Sequence, residues 1–138
     1  MTWQENVALR SVAEVTLGRQ RSPQHAEGPF MVKYLRAANV KDGTLDLSDV
    51  KSMNFTPDEQ RIFGLRPGDV LVTEGSGSLS SVGASAVWQG EIDEMVCFQN
   101  TLLRMRPRSE MMDGRFLGWW AQSAFGSGLF ASLASVFR

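Results

Sequence analysis

The chain has 138 residues, of which 43% are hydrophobic and 21% are charged, a composition typical of one soluble globular domain. The formal net charge of −1 excludes a globally basic nucleic-acid binder, so any such role depends on local clusters of cations. With one cysteine and one histidine, Cys97 and His25, the chain has no internal disulfide framework, and a Cys/His zinc site is nearly excluded.

The N-terminal part is predicted to begin with a short strand and a long loop. Residues 1–10 lack a basic stretch followed by an apolar core, so we predict no signal peptide. The single thiol fits a cytoplasmic location. Residues 7–17 have strand-like content, whereas residues 18–29 combine glycine and proline with polar residues and predict a loop. The aromatic and branched residues of 30–40 predict a second strand.

The next segment is predicted to contain a turn and a short helix. The dipeptide Asp42-Gly43 predicts a turn before a further strand or edge segment over residues 45–50. Thr56 and Glu59 have the spacing of a capping box. Pro57 between them suits the first helical position, and Gly64 is expected to end the helix.

Beyond the helix, the sequence returns to strands. RPGD at 66–69 predicts a type II turn that leads into a strand over 70–72. ASAVWQG at 84–90 predicts another strand, and MVCFQNTLLRMRP at 95–107 predicts one or two more. We therefore expect an α+β domain with a β-rich body over about residues 1–110.

The C-terminal segment is predicted to be a helical hairpin over about residues 113–137. Residues 116–137 carry no charge and are numerous enough to cross a bilayer. A spanning helix would normally be richer in leucine, isoleucine and valine than this glycine- and serine-containing segment. A buried α-hairpin is therefore favoured over a membrane anchor, which stays the alternative.

The loop EGSGSLSSVG at 74–83 fits neither common nucleotide-binding motif. A phosphate-binding P-loop needs a lysine and leads into a helix, but Lys51 is the last lysine of the chain and this loop leads into a strand. The spacing of Gly75, Gly77 and Gly83 does not match a dinucleotide fingerprint either. The loop is thus either a simple hairpin connection or a place where the backbone approaches a phosphate chain or a groove.

Basic residues cluster at three places. Two are in the first loop, two are on the following strand, and three alternate near residue 106. The alternating residues, Arg104, Arg106 and Arg108, would share one side of a strand. That side is either a nucleic-acid-binding face or a solvated one.

No set of residues has the pattern of an active site. His25 has no evident partner, and Cys97 lies in an apolar strand, where a buried structural thiol is expected. Asp58 and Glu59 are explained by the dipole at the start of the helix. We therefore predict a binding protein without catalytic, metal or cofactor sites.

Several stretches, taken in order, resemble a target recognition domain of a type I restriction-modification specificity subunit. The resemblance extends over about residues 7–123. It is carried by the ordered set and its spacings: VALRSVAEVTLGRQRSP, YLRAANVKDGTLDLSDVKSMNFTPDE, LRPGDVLVTEGSGS, VGASAVW, CFQNTLLRMRP and DGRFLGWWAQS.

The resemblance implies an irregular β-rich body similar to a double β-helix, with a capped short helix and a C-terminal α-hairpin. It also implies a non-catalytic, sequence-specific module that reads one half of a split double-stranded DNA target. Expected partners are a modification (methyltransferase) subunit, which uses S-adenosylmethionine to methylate adenine, a restriction subunit, which uses ATP, and a second specificity half. No cofactor would bind this chain.

Members of this family usually continue into a long spacer helix, whereas this chain ends at Arg138. We therefore expect a truncated single target recognition domain over residues 1–138. The alternatives are a small β-rich interaction domain without DNA binding and a truncated, non-functional fragment.

We predict that six residues face DNA, chosen by charge and by their placement in loops. Arginine side chains bind guanine edges or phosphates, and small loop residues let the backbone approach DNA closely. The six residues are Arg19, Arg21, Lys33, Arg36, Ser76 and Ser78.

Overall fold

A computed structural model describes residues 13–73 and 84–108 of the chain. The C-terminal hairpin predicted over 113–137 and the loop 74–83, with Ser76 and Ser78, lie outside these residues. Within them, no helix is both long enough and apolar enough to cross a membrane. The alternative of a membrane anchor over 116–137 also concerns residues outside this part of the chain.

The described residues form nine strands, one α-helix and two short 3-10 helices, Pro23–His25 and Ala37–Asn39. The helix, α1, spans Pro57–Phe63. The strands are β1 (Ala13–Leu17), β2 (Met31–Leu35), β3 (Val40–Lys41), β4 (Thr44–Leu45), β5 (Lys51–Asn54), β6 (Val70–Thr73), β7 (Ser85–Val87), β8 (Val96–Phe98) and β9 (Leu102–Pro107). This β-rich α+β architecture is the predicted one.

The strands build three sheets. The largest is antiparallel, with the order β1-β9-β6-β7. In the second, with the order β5-β2-β8, β2 is antiparallel to β5 and parallel to β8. The third is the β3–β4 hairpin. The turn predicted at Asp42-Gly43 closes this hairpin, and Gly43 has the positive φ, 81°, that such a turn requires.

The main core lies between the first two sheets. All of β6 is buried, as expected of its continuous apolar run. Leu71 of β6, Phe98 of β8 and Leu102 of β9 are fully buried in one cluster with Trp88. A second cluster covers one face of the β5-β2-β8 sheet, because alternation along β2 turns Val32 and Tyr34 to the same side.

Helix α1 begins and ends where the sequence predicts. The hydroxyl of Thr56 accepts the N–H of Glu59 (3.2 Å), and the carboxylate of Glu59 accepts the N–H of Thr56 (2.9 Å), which confirms the capping box. Gly64 follows the helix with a φ of −68°, so its role is not a left-handed cap. A Cβ atom there would lie 2.5 Å from the carbonyl oxygen of Gln60, and this contact requires glycine.

A tight backbone contact joins the two larger sheets where β1 ends. Gly18 donates to the carbonyl of Leu102 (3.1 Å), and Arg19 donates to the carbonyl of Phe98 (3.1 Å). A Cβ atom on Gly18 would lie 2.1 Å from the carbonyl oxygen of Gln99. The chain is thus held against the end of β8, in the second sheet, before it enters the loop that carries Arg21.

Candidate nucleic-acid interface

The alternating arginines of β9 share one side, as predicted, but protein covers that side. Arg104 is only 2% exposed and donates to the carbonyls of Ile62 (3.0 Å) and Gly64 (3.1 Å). Arg106 donates two hydrogen bonds of 2.8 Å to the carboxylate of Asp69 and one to the carbonyl of Gly64. The prediction of an open face, whether DNA-binding or solvated, is therefore wrong for these two arginines.

The pKa values of the two arginines reflect these surroundings. Burial, and then the positive charge of Arg106, lower the pKa of Arg104. The hydrogen bonds from Arg106 to Asp69 outweigh burial and raise the pKa of Arg106. Because arginine starts from a very high pKa, both side chains stay charged at neutral pH and act as buried structural cations.

Arg19, predicted to face DNA, lies inside the protein with a relative exposure of 6%. Its Nη1 atom is 3.0 Å from Oε2 of Glu59, and its Cζ atom is 3.7 Å from the centre of the Phe55 ring. The contact with Glu59 is an ion pair without hydrogen-bond alignment. No guanidinium nitrogen of Arg19 has a hydrogen-bond partner within residues 13–73 and 84–108.

Glu59 contacts both Arg19 and the start of α1. Burial opposes its ionisation, but the N–H of Thr56 and the positive charge of Arg19 outweigh burial and hold the pKa of Glu59 below its ordinary value. The same carboxylate therefore caps α1 and binds Arg19.

Lys33 and Arg36 are exposed or partly exposed, and both are paired. Lys33 Nζ lies 2.6 Å from a carboxylate oxygen of Glu94, and Arg36 Nη2 lies 3.0 Å from one of Asp49. Lys33 also lies opposite Ser52 in the β2–β5 register, so it points away from the sheet face that carries Tyr34. Neither Lys33 nor Arg36 lines the groove to which Arg21 belongs.

Arg21 lines a groove that we name the Arg21–Lys51 groove. Its volume is about 530 Å³, and Arg21, Ser22, Tyr34, Lys51 and Ser52 contribute to its lining. Among the described residues, neither Arg21 nor Lys51 has an ion-pair partner, and the hydroxyl of Tyr34 has no hydrogen-bond partner. Two uncompensated cations next to hydroxyl donors suit an anionic group such as a phosphate.

Lys51 is the residue of this groove that the sequence analysis missed. In the β2–β5 register, Lys51 is paired with Tyr34, which places both on the same sheet face. That pairing places Lys51 beside Tyr34, and the loop of Arg21 lies next to them only through tertiary packing. In the sequence, Lys51 is a single lysine at the start of a short strand. It does not indicate a binding site unless the partner strand is known.

Residues 13–73 and 84–108 contain no group of three histidine, cysteine, aspartate or glutamate residues placed to hold a metal ion. Cys97 is fully buried, and burial raises the pKa of its thiol to about 12. The thiol is therefore protonated and inert at neutral pH, as predicted for a structural cysteine.

The fold is shared with solved structures of type I restriction-modification components. No protein-family model and no curated protein matches the sequence. One similar chain comes from a structural study of complex assembly and conformational transition of the type I R-M system. It has a TM-score of 0.58 and 19% identity, over 91% of this chain and 27% of that chain. The HsdS subunit from Thermoanaerobacter tengcongensis gives a TM-score of 0.59 and 20% identity, over 86% of this chain and 27% of its own. The chain thus spans about a quarter of each neighbour and has the fold of that portion.

Proposed function

We propose that this chain is a DNA-recognition domain of a type I restriction-modification specificity subunit. In this role it binds double-stranded DNA and reads one half of a split target. The observation that supports the proposal most strongly is the fold, which is shared with an HsdS subunit over 86% of the chain. The Arg21–Lys51 groove adds a local cationic site, which a protein of net charge −1 needs in order to bind DNA.

All catalytic steps would take place on other subunits. A modification subunit would methylate adenine with S-adenosylmethionine, and a restriction subunit would use ATP. This chain would hold the DNA for both of them in the cytoplasm, together with a second specificity half. Its residues would supply binding energy and orientation and would not carry out a catalytic step.

Within the groove, Arg21 and Lys51 would contact phosphates and set the position of the protein on the duplex. Phosphate contacts fix register, whereas base-edge contacts carry the sequence information. Lys33 and Arg36, and Ser76 and Ser78 of the loop 74–83, remain proposed DNA contacts at other places. The ion pairs of Lys33 and Arg36 involve exposed carboxylates, and such pairs exchange readily for a phosphate because they contribute little energy.

The test is a titration of a labelled mixed-sequence duplex at several salt concentrations, monitored by fluorescence anisotropy. A protein that contacts phosphates loses affinity as salt rises, with a log–log slope of about −0.9 per contact. We expect the double variant Arg21→Ala/Lys51→Ala to reduce the magnitude of the slope by about 2.

Arg61→Ala is the matched control, because Arg61 is 71% exposed on α1, outside the groove, and pairs with Asp58 of the same helix. Its slope should equal that of the wild type. Absence of duplex binding at low salt would contradict the proposal, as would equal slopes for the double variant and the wild type.

A second candidate function is a protein-interaction domain without DNA binding. The observation that favours it is the compensation of Lys33 by Glu94 and of Arg36 by Asp49, which leaves fewer free cations than the sequence suggests. Under this function, neither the wild type nor the Arg21→Ala/Lys51→Ala variant binds the duplex at low salt.

A further inference from the structure

Two separate segments form the walls of the Arg21–Lys51 groove, and one side chain connects them. The first wall is the loop that begins after Arg19 and carries Arg21. The second wall is β5, which begins at Lys51 and is followed directly by Phe55. The backbone of Arg19 directly precedes the first segment. Its side chain contacts the residue that follows the second segment, because its Cζ atom lies 3.7 Å from the centre of the Phe55 ring.

Both ends of this connection are fixed. The backbone of Arg19 donates to the carbonyl of Phe98 (3.1 Å) and accepts from Asn100 (3.0 Å). Its guanidinium lies against Glu59, whose carboxylate is oriented in turn by the N–H of Thr56. The side chain therefore connects two rigid parts of the fold and has little freedom of its own.

We infer that Arg19 is a positioning residue, which sets the separation of Arg21 and Lys51 through its ion pair with Glu59 and its stacking on Phe55. This inference rests on the proposed function and gives Arg19 an indirect part in DNA binding. A direct contact would require the guanidinium to leave an interior place where it is 6% exposed.

The loop would survive the loss of this connection. Its far end is held independently, because the N–H of Phe30 donates to the side-chain oxygen of Asn54 at 2.7 Å, and Gly28 packs closely on the same side chain. Removing the Arg19 contact should therefore loosen the part of the loop near Arg21 without releasing the whole segment.

Glu59→Gln is the most informative variant, because glutamine also serves at the third position of a capping box. It removes the charge that holds Arg19 while keeping the start of α1. If Arg19 positions the groove, Glu59→Gln weakens duplex binding about fivefold, equivalent to about 1 kcal/mol. If Arg19 contacts phosphate directly, the substitution frees the guanidinium and removes a negative charge, so affinity rises. A rise in affinity, or no change, overturns the inference.

A double-mutant cycle tests whether Arg19 acts through the two groove cations. Arg19→Met should weaken duplex binding in the wild-type background and have no further effect in the Arg21→Ala/Lys51→Ala background. Equal losses in both backgrounds would show an independent role and overturn the inference. Thermal unfolding of each variant separates loss of folded protein from loss of affinity.

A distance measurement keeps the inference testable even if the chain binds no DNA. Spin labels on Ser22→Cys and Ser52→Cys, one on each wall, report the separation of the walls by pulsed electron paramagnetic resonance. Cys97 is fully buried and does not compete for the label. Glu59→Gln and Arg19→Met should broaden the distance distribution, whereas Arg61→Ala should leave it unchanged. An unchanged distribution in both test variants overturns the inference independently of the proposed function.

Discussion

Replacing Asp69 by alanine should destabilise the fold strongly, because Asp69 is the most deeply buried carboxylate among the described residues. It is 1% exposed and precedes β6. Its two oxygens accept one hydrogen bond each from the guanidinium of Arg106, both 2.8 Å long. One of the oxygens also accepts the N–H of Arg66 at 2.8 Å. Asp69→Ala removes three hydrogen bonds and leaves the charge of Arg106 without its counterion.

The size of the effect follows from this geometry. Breaking a buried ion pair by removing one partner costs about 3–5 kcal/mol. Arg106 keeps its bond to the carbonyl of Gly64, and its side chain is 16% exposed, so water can reach part of it. We therefore expect the lower end of the range, about 3 kcal/mol, which is a large part of the about 5–15 kcal/mol stability of a typical domain.

The assay is equilibrium unfolding in urea, monitored by tryptophan fluorescence. The control is Asp49→Ala, because Asp49 also pairs with an arginine but its side chain is 73% exposed. An exposed pair contributes about 0–1 kcal/mol, so the control should change the free energy of unfolding little. If Asp69→Ala lowers the free energy of unfolding by less than about 1 kcal/mol, the reasoning is refuted, because the pair would then contribute no more than an exposed ion pair.

Further measurements probe other parts of the structure. Gly18→Ala should destabilise the protein more than Gly68→Ala in urea unfolding, because a Cβ on Gly18 meets the carbonyl of Gln99 at 2.1 Å, whereas Gly68 has open space and only a strained φ of +95°. Equal losses would contradict the close contact. Cys97 should resist maleimide in the native protein and react after denaturation, as measured by mass spectrometry; native labelling would contradict its burial. The stability advantage of the wild type over Glu59→Gln should be complete above the ordinary pKa of 4.5 and lost as the pH falls through the lower folded pKa of Glu59. Urea unfolding across this pH range checks the trend, and a constant difference would contradict it.

Local features could be predicted from the sequence because short-range chemistry determines them. The capping box of Thr56 and Glu59 formed as expected, and the turn before β6 has Gly68 at the positive φ that a type II turn requires. The segment 95–107 separated into two strands, which was one of the two options. In contrast, the strand expected over 30–40 ends at Leu35, and a 3-10 helix follows it.

Partner strands could not be predicted, and the candidate site depends on them. The alternation of Arg104 and Arg106 correctly predicts that the two side chains share one side of a strand. Which side is covered depends on Gly64 and Asp69, about 40 residues earlier in the chain. Arg19 likewise is a charged residue in a polar segment, which predicts an exposed loop residue. Its burial results from tertiary contacts with Phe55 and Glu59, which the sequence does not show.

Chemical footprinting of the lysines tests most directly whether the Arg21–Lys51 groove holds DNA. The chain has three lysines, Lys33, Lys41 and Lys51, and all three are exposed. Brief acetylation followed by mass spectrometry measures the reaction rate of each lysine with and without a saturating duplex. We predict that the duplex slows acetylation of Lys51 and leaves the rate at Lys41, on the β3–β4 hairpin, unchanged. If DNA binds but Lys51 reacts at the same rate with and without it, the groove is not the DNA-binding site.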